Sequence, residues 1–138
     1  MNVPDDLKFA ESHEWVRLEG DIATVGITDH AQAELTDIVY LELPETDRVV
    51  EAKEEIAVVE SVKSASDIYA PVAGEIVEVN QPTGDDPAKI NSDAYGDGWL
   101  VKIKVSGDDA VAGLLSAEGY REMIGYENVA PAAFLFES

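Results

Sequence analysis

The chain contains no cysteine. That excludes disulfides, thiolate-held metals, iron–sulfur clusters and any cysteine nucleophile. Basic residues are scarce: nine Lys and Arg stand against 29 Asp and Glu, a formal net charge of −20. Such a body repels phosphate backbones and anionic lipid, which argues against nucleic acid and membrane surfaces as partners. Long apolar runs are missing as well. The longest, Val129 to Phe136, holds eight residues and contains Pro131, well short of the roughly 18 residues of a membrane span. Met1-Asn2-Val3-Pro4-Asp5-Asp6 has neither the basic start nor the apolar block of a signal peptide. The expectation is a soluble chain that is not exported by that route.

Most catalytic signatures are also absent. There is no phosphate-cradling G-x-x-x-x-G-K loop, no strand–turn–helix dinucleotide fingerprint and no G-x-S-x-G elbow. The only histidines, His13 and His30, lack metal-ligand spacing and read as separate surface or capping residues. Asp93 to Gly98 resembles a calcium loop in part. However, Tyr95 falls on a ligand position and Lys104 stands where the closing Glu belongs. No carboxylate pair is marked above the others. The chain reads as neither a metalloprotein nor a conventional enzyme.

What is present is a β pattern on a chain of 138 residues, the size of one ordinary domain. Strands are expected at 15–18, 22–27, 38–43, 49–52, 56–62, 65–70, 72–79 and 99–105. Thr28 caps a short helix through Leu35, 80–88 reads as a polar loop, and 110–115 has helical spacing. Ser116 caps a last helix, 117–124, that Gly125 ends. The fold class is mainly β: a small antiparallel barrel or sandwich with helices at its margins. A weak echo between 48–52 and 75–79 would suit two similar half-sheets. Residues 1–125 form the domain; 126–138 are an apolar extension that docks on it or frays.

One residue stands out. Between Glu54 and Ala88 there are eight acidic residues and a single basic one, Lys63. It falls between two β-patterned runs, at the turn of an expected hairpin. Ile56, Val58 and Val62 lie on one face of the approaching strand and Ala57, Val59 and Ser61 on the other, so both faces are expected to pack. The turn lacks Asn-Gly or Asp-Gly. A lysine there could simply pair with Glu60 or Asp67, worth about 0–1 kcal/mol. With an ordinary pKa near 10.4 it is a poor nucleophile. Chemistry at this tip would therefore reside in a group attached to it.

The segment Val59-Glu60-Ser61-Val62-Lys63-Ser64-Ala65-Ser66-Asp67-Ile68-Tyr69-Ala70-Pro71 resembles the lipoyl-attachment hairpin of the glycine cleavage system H proteins. Ser12 to Val16, Val25 to Gln32, Asp37 to Pro44, Ile90 to Leu100 and Leu114 to Met123 are similar to further blocks of that family, in the same order. The resemblance implies a barrel-sandwich hybrid of the lipoyl/biotinyl-like kind, with two antiparallel sheets and short peripheral helices. It implies lipoate joined by an amide to Lys63, and a carrier that is not itself an enzyme. Its implied partners are a glycine decarboxylase (P protein), an aminomethyltransferase (T protein), a dihydrolipoamide dehydrogenase (L protein) and a lipoate-attaching enzyme. Ser12, Glu14 and Asp67 match positions that would receive the loaded arm, and Glu60 and Gly74 match positions read during lipoylation. Two departures from the family pattern are noted. The 46–54 segment lacks the glycines expected around its loop, and the tail is longer and more apolar.

Four other readings compete, one of them an unmodified acidic binding domain. An H-like protein could donate lipoate to other enzymes. A 2-oxoacid dehydrogenase lipoyl domain would favour Asp-Lys-Ala, and a biotin carrier would favour methionine beside the lysine. Here Val62 and Ser64 flank it. The expected setting is a monomer in a bacterial or archaeal cytoplasm, a mature mitochondrial protein fitting the same features.

Overall fold

The structure is a computed structural model that describes residues 2–106 and 108–125. Nine strands form two antiparallel sheets among the described residues. The larger sheet contains β1 (Lys8–Phe9), β2 (Glu14–Glu19), β3 (Ile22–Ile27), β9 (Val101–Lys104), β8 (Gly74–Val79) and β5 (Val49–Val50), in that spatial order. The smaller sheet is β4 (Ile38–Glu42), β6 (Glu55–Ser61) and β7 (Ala65–Tyr69). Between them lies a core that includes Val25, Val59, Ile68, Ile76 and Ile103, all almost fully buried. Burying side chains of that size stabilises the fold by roughly 1.5–3 kcal/mol each. A second apolar cluster of Phe9, Trp15, Ala117 and Tyr120 fastens α4 (Ala117–Ile124) to β1 and β2. The Phe9 and Tyr120 rings stack there at 4.7 Å.

The helix caps follow the expected residues. Thr28 Oγ1 accepts the Ala31 N–H at the start of α1 (Asp29–Leu35), and Ser116 Oγ accepts the Gly119 N–H at the start of α4. Gly125, at φ 75°, ends α4 in the left-handed conformation. The expected polar loop at 80–88 is instead largely helical, with α2 (Gln81–Asp85) and α3 (Ala88–Ser92). The prolines that suggested a loop sit at the helix starts, Pro82 in the first turn of α2 and Pro87 before α3, where a missing N–H costs nothing. The helix expected at 110–115 is absent. A 3₁₀ turn covers Asp108–Val111, and Leu115 exchanges backbone hydrogen bonds with Phe9. The 48–52 and 75–79 echo does not mark two half-sheets, because β5 pairs directly with β8, Val49 opposite Glu75.

The glycine-poor 46–54 segment turns without glycine. Asp47 and Lys53 take φ of 70° and 74°. Each donates its backbone N–H at 2.7 Å, Asp47 to the Ile76 carbonyl and Lys53 to the Ala70 carbonyl. The extension 126–138 lies outside the described residues. No described helix is long and apolar enough to cross a membrane.

Candidate functional site

Lys63 sits at the tip between β6 and β7. A serine builds the turn. Ser61 Oγ accepts the N–H groups of Lys63 and Ser64 at 3.1 and 2.9 Å, and the Ser61 N–H donates to the Ser64 carbonyl at 2.7 Å. A hydroxyl that accepts from the following backbone can nucleate a turn without an Asn-Gly pair. The Val62 N–H donates to Asp37 O at 3.0 Å, tying the tip to the start of β4. The expected packing of β6 on both faces fails toward the tip: Ile56, Ala57 and Val59 are buried, whereas Val62 is 69% exposed beside the lysine.

The lysine does not pair with Glu60 or Asp67. Lys63 Nζ donates to the Glu34 carbonyl at 3.0 Å, in the last turn of α1. That turn has no basic residue of its own, so the amine supplies the cation a helix C-terminus favours. Glu34 also borders a cleft of about 190 Å³, which Ser12, His13, Glu14, His30 and Asp67 help to line. The lysine amine thus touches a residue that borders the cleft.

Glu14 lies within the cleft wall. It is 1% exposed. Its Oε1 accepts the Ser12 hydroxyl at 2.5 Å, and its Oε2 accepts the Tyr69 N–H at 3.1 Å. Burial raises its pKa to about 7, although both hydrogen bonds pull the other way. No ion pair reaches it among the described residues. A buried carboxyl held by two donors and lacking a counter-ion is suited to receive a cation.

Asp67 enters the cleft by its backbone. It lies opposite Val58, one position out of step with the inward pairs Ser66–Val59 and Ile68–Ala57. Its Cβ therefore stands on the outer face of the small sheet with those of Glu60 and Glu42. Tyr69 directs its N–H off the free edge of β7 to Glu14. Asp67, two residues earlier, directs its N–H and C=O off the same edge.

The structure thus brings Ser12, Glu14 and the Asp67 backbone into one cleft and leaves Glu60 and Gly74 outside it. Glu60 is exposed between Tyr40 and Ala65. Gly74 opens β8 in the other sheet, where a Cβ would strike the Lys104 carbonyl. Two residues read as separate, His13 and His30, in fact meet with ring centroids 4.9 Å apart, and both border the cleft. Register explains this. Glu14 lies opposite Ile27, so His13 falls beside Thr28, whose N–H donates to the His13 carbonyl at 3.0 Å. The β2–β3 register was the available signal, and spacing along the chain concealed it. No described group of His, Asp and Glu residues is placed to hold a metal ion.

A two-sheet β fold with a lysine on an exposed hairpin tip beside a cleft has the architecture of a lipoyl/biotinyl-like carrier domain. The glycine cleavage H-protein family model matches residues 7–127. The chain is 56% identical over 127 residues to the glycine cleavage system H protein of Pseudoalteromonas atlantica, covering 91% of this chain and 98% of that one. It is 51% identical over 124 residues to the H protein of Methylacidiphilum infernorum, covering 90% and 97%. The crystal structure of the Mycobacterium marinum H protein superposes with a TM-score of 0.82 at 41% identity, covering 89% of this chain and 99% of that one. The chain belongs to the glycine cleavage H-protein family, the non-catalytic lipoyl carriers of the glycine cleavage system.

Proposed function

We propose that Lys63 is the lipoyl attachment point of this chain and that the cleft beside it shelters the loaded arm. The observation that carries this reading is the lysine amine resting on Glu34, which borders a cleft whose wall holds the buried Glu14. When bound, the lipoyl group would supply a dithiolane that carries an aminomethyl unit from the glycine decarboxylase to the aminomethyltransferase, where ammonia and the one-carbon unit would leave, and a dithiol for the dihydrolipoamide dehydrogenase to reoxidise.

This chain's residues contribute position and protection. Acylation removes the Lys63 charge but leaves one amide N–H, which can still reach the Glu34 carbonyl and aim the arm along the cleft. A primary ammonium has three N–H donors. Glu14, the Ser12 hydroxyl and the Asp67 carbonyl offer three acceptors. Anionic Glu14 favours the protonated amine, and a protonated nitrogen has no lone pair with which to expel the neighbouring sulfur. Holding that proton is therefore how the cleft would preserve the load.

Delivery on a tether replaces diffusion of an unstable intermediate. The partners meet an acidic surface: Glu42, Glu60 and Asp67 share the outer face of the hairpin sheet with the half-exposed Tyr40. Small, charge-guided interfaces suit a carrier that must leave each partner. We place the protein as a monomer in the bacterial cytoplasm, in keeping with its bacterial relatives.

The test is mass spectrometry after expression with a lipoate-attaching enzyme and lipoate, beside Lys63→Arg. One lipoyl amide on Lys63, absent from the variant, is the expected result. An unmodified chain, with a control domain lipoylated in parallel, would overturn the proposal.

A further inference from the structure

The cleft's walls are joined through a side chain that does not line it. Tyr120 lies on α4, is fully buried and stacks on Phe9. Its hydroxyl oxygen stands 2.8 Å from His13 Nδ1 and 2.7 Å from Thr28 Oγ1. Thr28 Oγ1 also accepts the Ala31 N–H at 3.1 Å. One residue of α4 therefore joins the turn carrying Ser12, His13 and Glu14 to the N-cap of α1, which carries His30 and Glu34.

The proton positions in this chain follow from counting donors. Thr28 Oγ1 already accepts from Ala31, so its own proton is best given to the tyrosine oxygen. The tyrosine proton then goes to His13 Nδ1. His13 must in turn be neutral, with its proton on Nε2. A cationic His13 would place a proton on Nδ1 and reverse the chain. Thr28 Oγ1 would then accept twice while its own buried proton lost its partner, an unfavourable arrangement. The surroundings agree: burial, first, and the nearby His30 hold the His13 pKa below its ordinary value, against the opposing pull of Glu34.

We propose that Tyr120 is a positioning residue for the carrier function: its hydroxyl fixes the neutral Nε2–H form of His13, so that the arm's ammonium is not opposed by a second cation beside Glu14. This inference rests on the carrier reading above. The ionisable groups around His13 are Glu14 on β2, His30 and Glu34 on α1, Tyr120 on α4 and, across the cleft, Asp67 on β7, whose Cβ lies on the outer face of its sheet. Without the tyrosine hydroxyl, His13 Nδ1 loses its donor and is free to take a proton.

The test compares the parent chain with Tyr120→Phe, which keeps the stacked ring. In the unmodified proteins, ¹⁵N NMR of the imidazoles reads the His13 tautomer and titration directly. The parent should show the Nε2–H form, and Tyr120→Phe should show mixed tautomers with a titration midpoint moved to higher pH. In lipoylated, loaded protein, confirmed by mass, Tyr120→Phe should shorten the life of the load severalfold at pH 6 and less at pH 8. His13→Gln should abolish that pH dependence, and adding Tyr120→Phe to it should shorten the life no further.

An Nδ1–H tautomer in the parent would overturn the proposal. So would a loss of melting temperature in Tyr120→Phe with unchanged His13 titration and load lifetime, because the hydroxyl would then be purely structural. Failure to load any variant would instead count against the carrier reading.

Discussion

Glu14 and Tyr69 join the two sheets through one hydrogen bond, the Tyr69 N–H to Glu14 Oε2 at 3.1 Å. β2 begins at Glu14 in the six-stranded sheet, and β7 ends at Tyr69 in the three-stranded one. A buried carboxyl thereby takes part in holding the fold together. Its environment gives the contact a sign that depends on pH.

The pKa of Glu14 is about 7 in the folded chain, against 4.5 for an ordinary glutamate. The unfolded chain gives up this proton first. Stability from this group is therefore fully present below about pH 4.5 and falls as pH rises toward 7. The loss by pH 8 is on the order of 3 kcal/mol. Glu14→Gln removes the titration and keeps an acceptor for Tyr69. It should match the parent near pH 5 and exceed it by about 1–3 kcal/mol at pH 8. Denaturant unfolding at the two pH values checks this, and a variant no more stable at pH 8 would exclude the penalty.

The same substitution should damage function, and Asp67 supplies the contrast. Losing a charge-assisted hydrogen bond costs about 1.5–3 kcal/mol. Glu14→Gln in lipoylated, loaded protein should therefore shorten the life of the load by about tenfold or more. Asp67→Asn keeps the backbone carbonyl and changes only a side chain on the outer face, so the lifetime should stay within about twofold. Timed release of ammonia from loaded protein measures both. A large effect of Asp67→Asn would place its carboxylate at the cleft.

Much of this architecture was legible in the sequence because each part has a local cause. Alternation marked β2, β3 and β9, and Thr28, Ser116 and Gly125 marked the helix ends. Lys63 was visible as a lone cation in an acidic stretch. The rest depended on pairing. That the Asp67 Cβ lies on the outer face of its sheet follows only from the Ser66–Val59 register. The meeting of His13 with His30 follows from Glu14 lying opposite Ile27. In α2 and α3 the local signals were read the wrong way: proline breaks a helix interior but suits its first turn.

The turn at Lys53 tests whether missing glycines have a cost. An L-residue at φ 74° carries strain of about 1–2 kcal/mol, while glycine adds roughly 0.5–1 kcal/mol of chain entropy to the unfolded state. The difference favours Lys53→Gly by up to about 1 kcal/mol. Lys53→Val, β-branched and poorly tolerated at positive φ, should destabilise by about 1 kcal/mol or more. Melting temperatures of the two variants should therefore move in opposite directions. Equal shifts would mean that the turn relaxes away from this conformation.

Gly74 and Glu60 were read together as lipoylation determinants, and the structure separates their physical situations. A Cβ on Gly74 would strike the Lys104 carbonyl and stand 2.7 Å from Ile103 Cγ2. The Glu75–Lys104 and Ile76–Ile103 pairs hold β8 against β9 and leave little room to shift. Gly74→Ala should therefore destabilise by about 1–3 kcal/mol, as overpacking does. Glu60 is exposed on the hairpin itself, so Glu60→Gln should change stability by no more than about 0.5 kcal/mol. Lipoylation rates, measured where both variants are folded, then distinguish recognition from packing. Glu60→Gln should be modified severalfold more slowly than the parent, and folded Gly74→Ala at the parent's rate. A slow but fully folded Gly74→Ala would show that the attaching enzyme reads the six-stranded sheet as well as the hairpin.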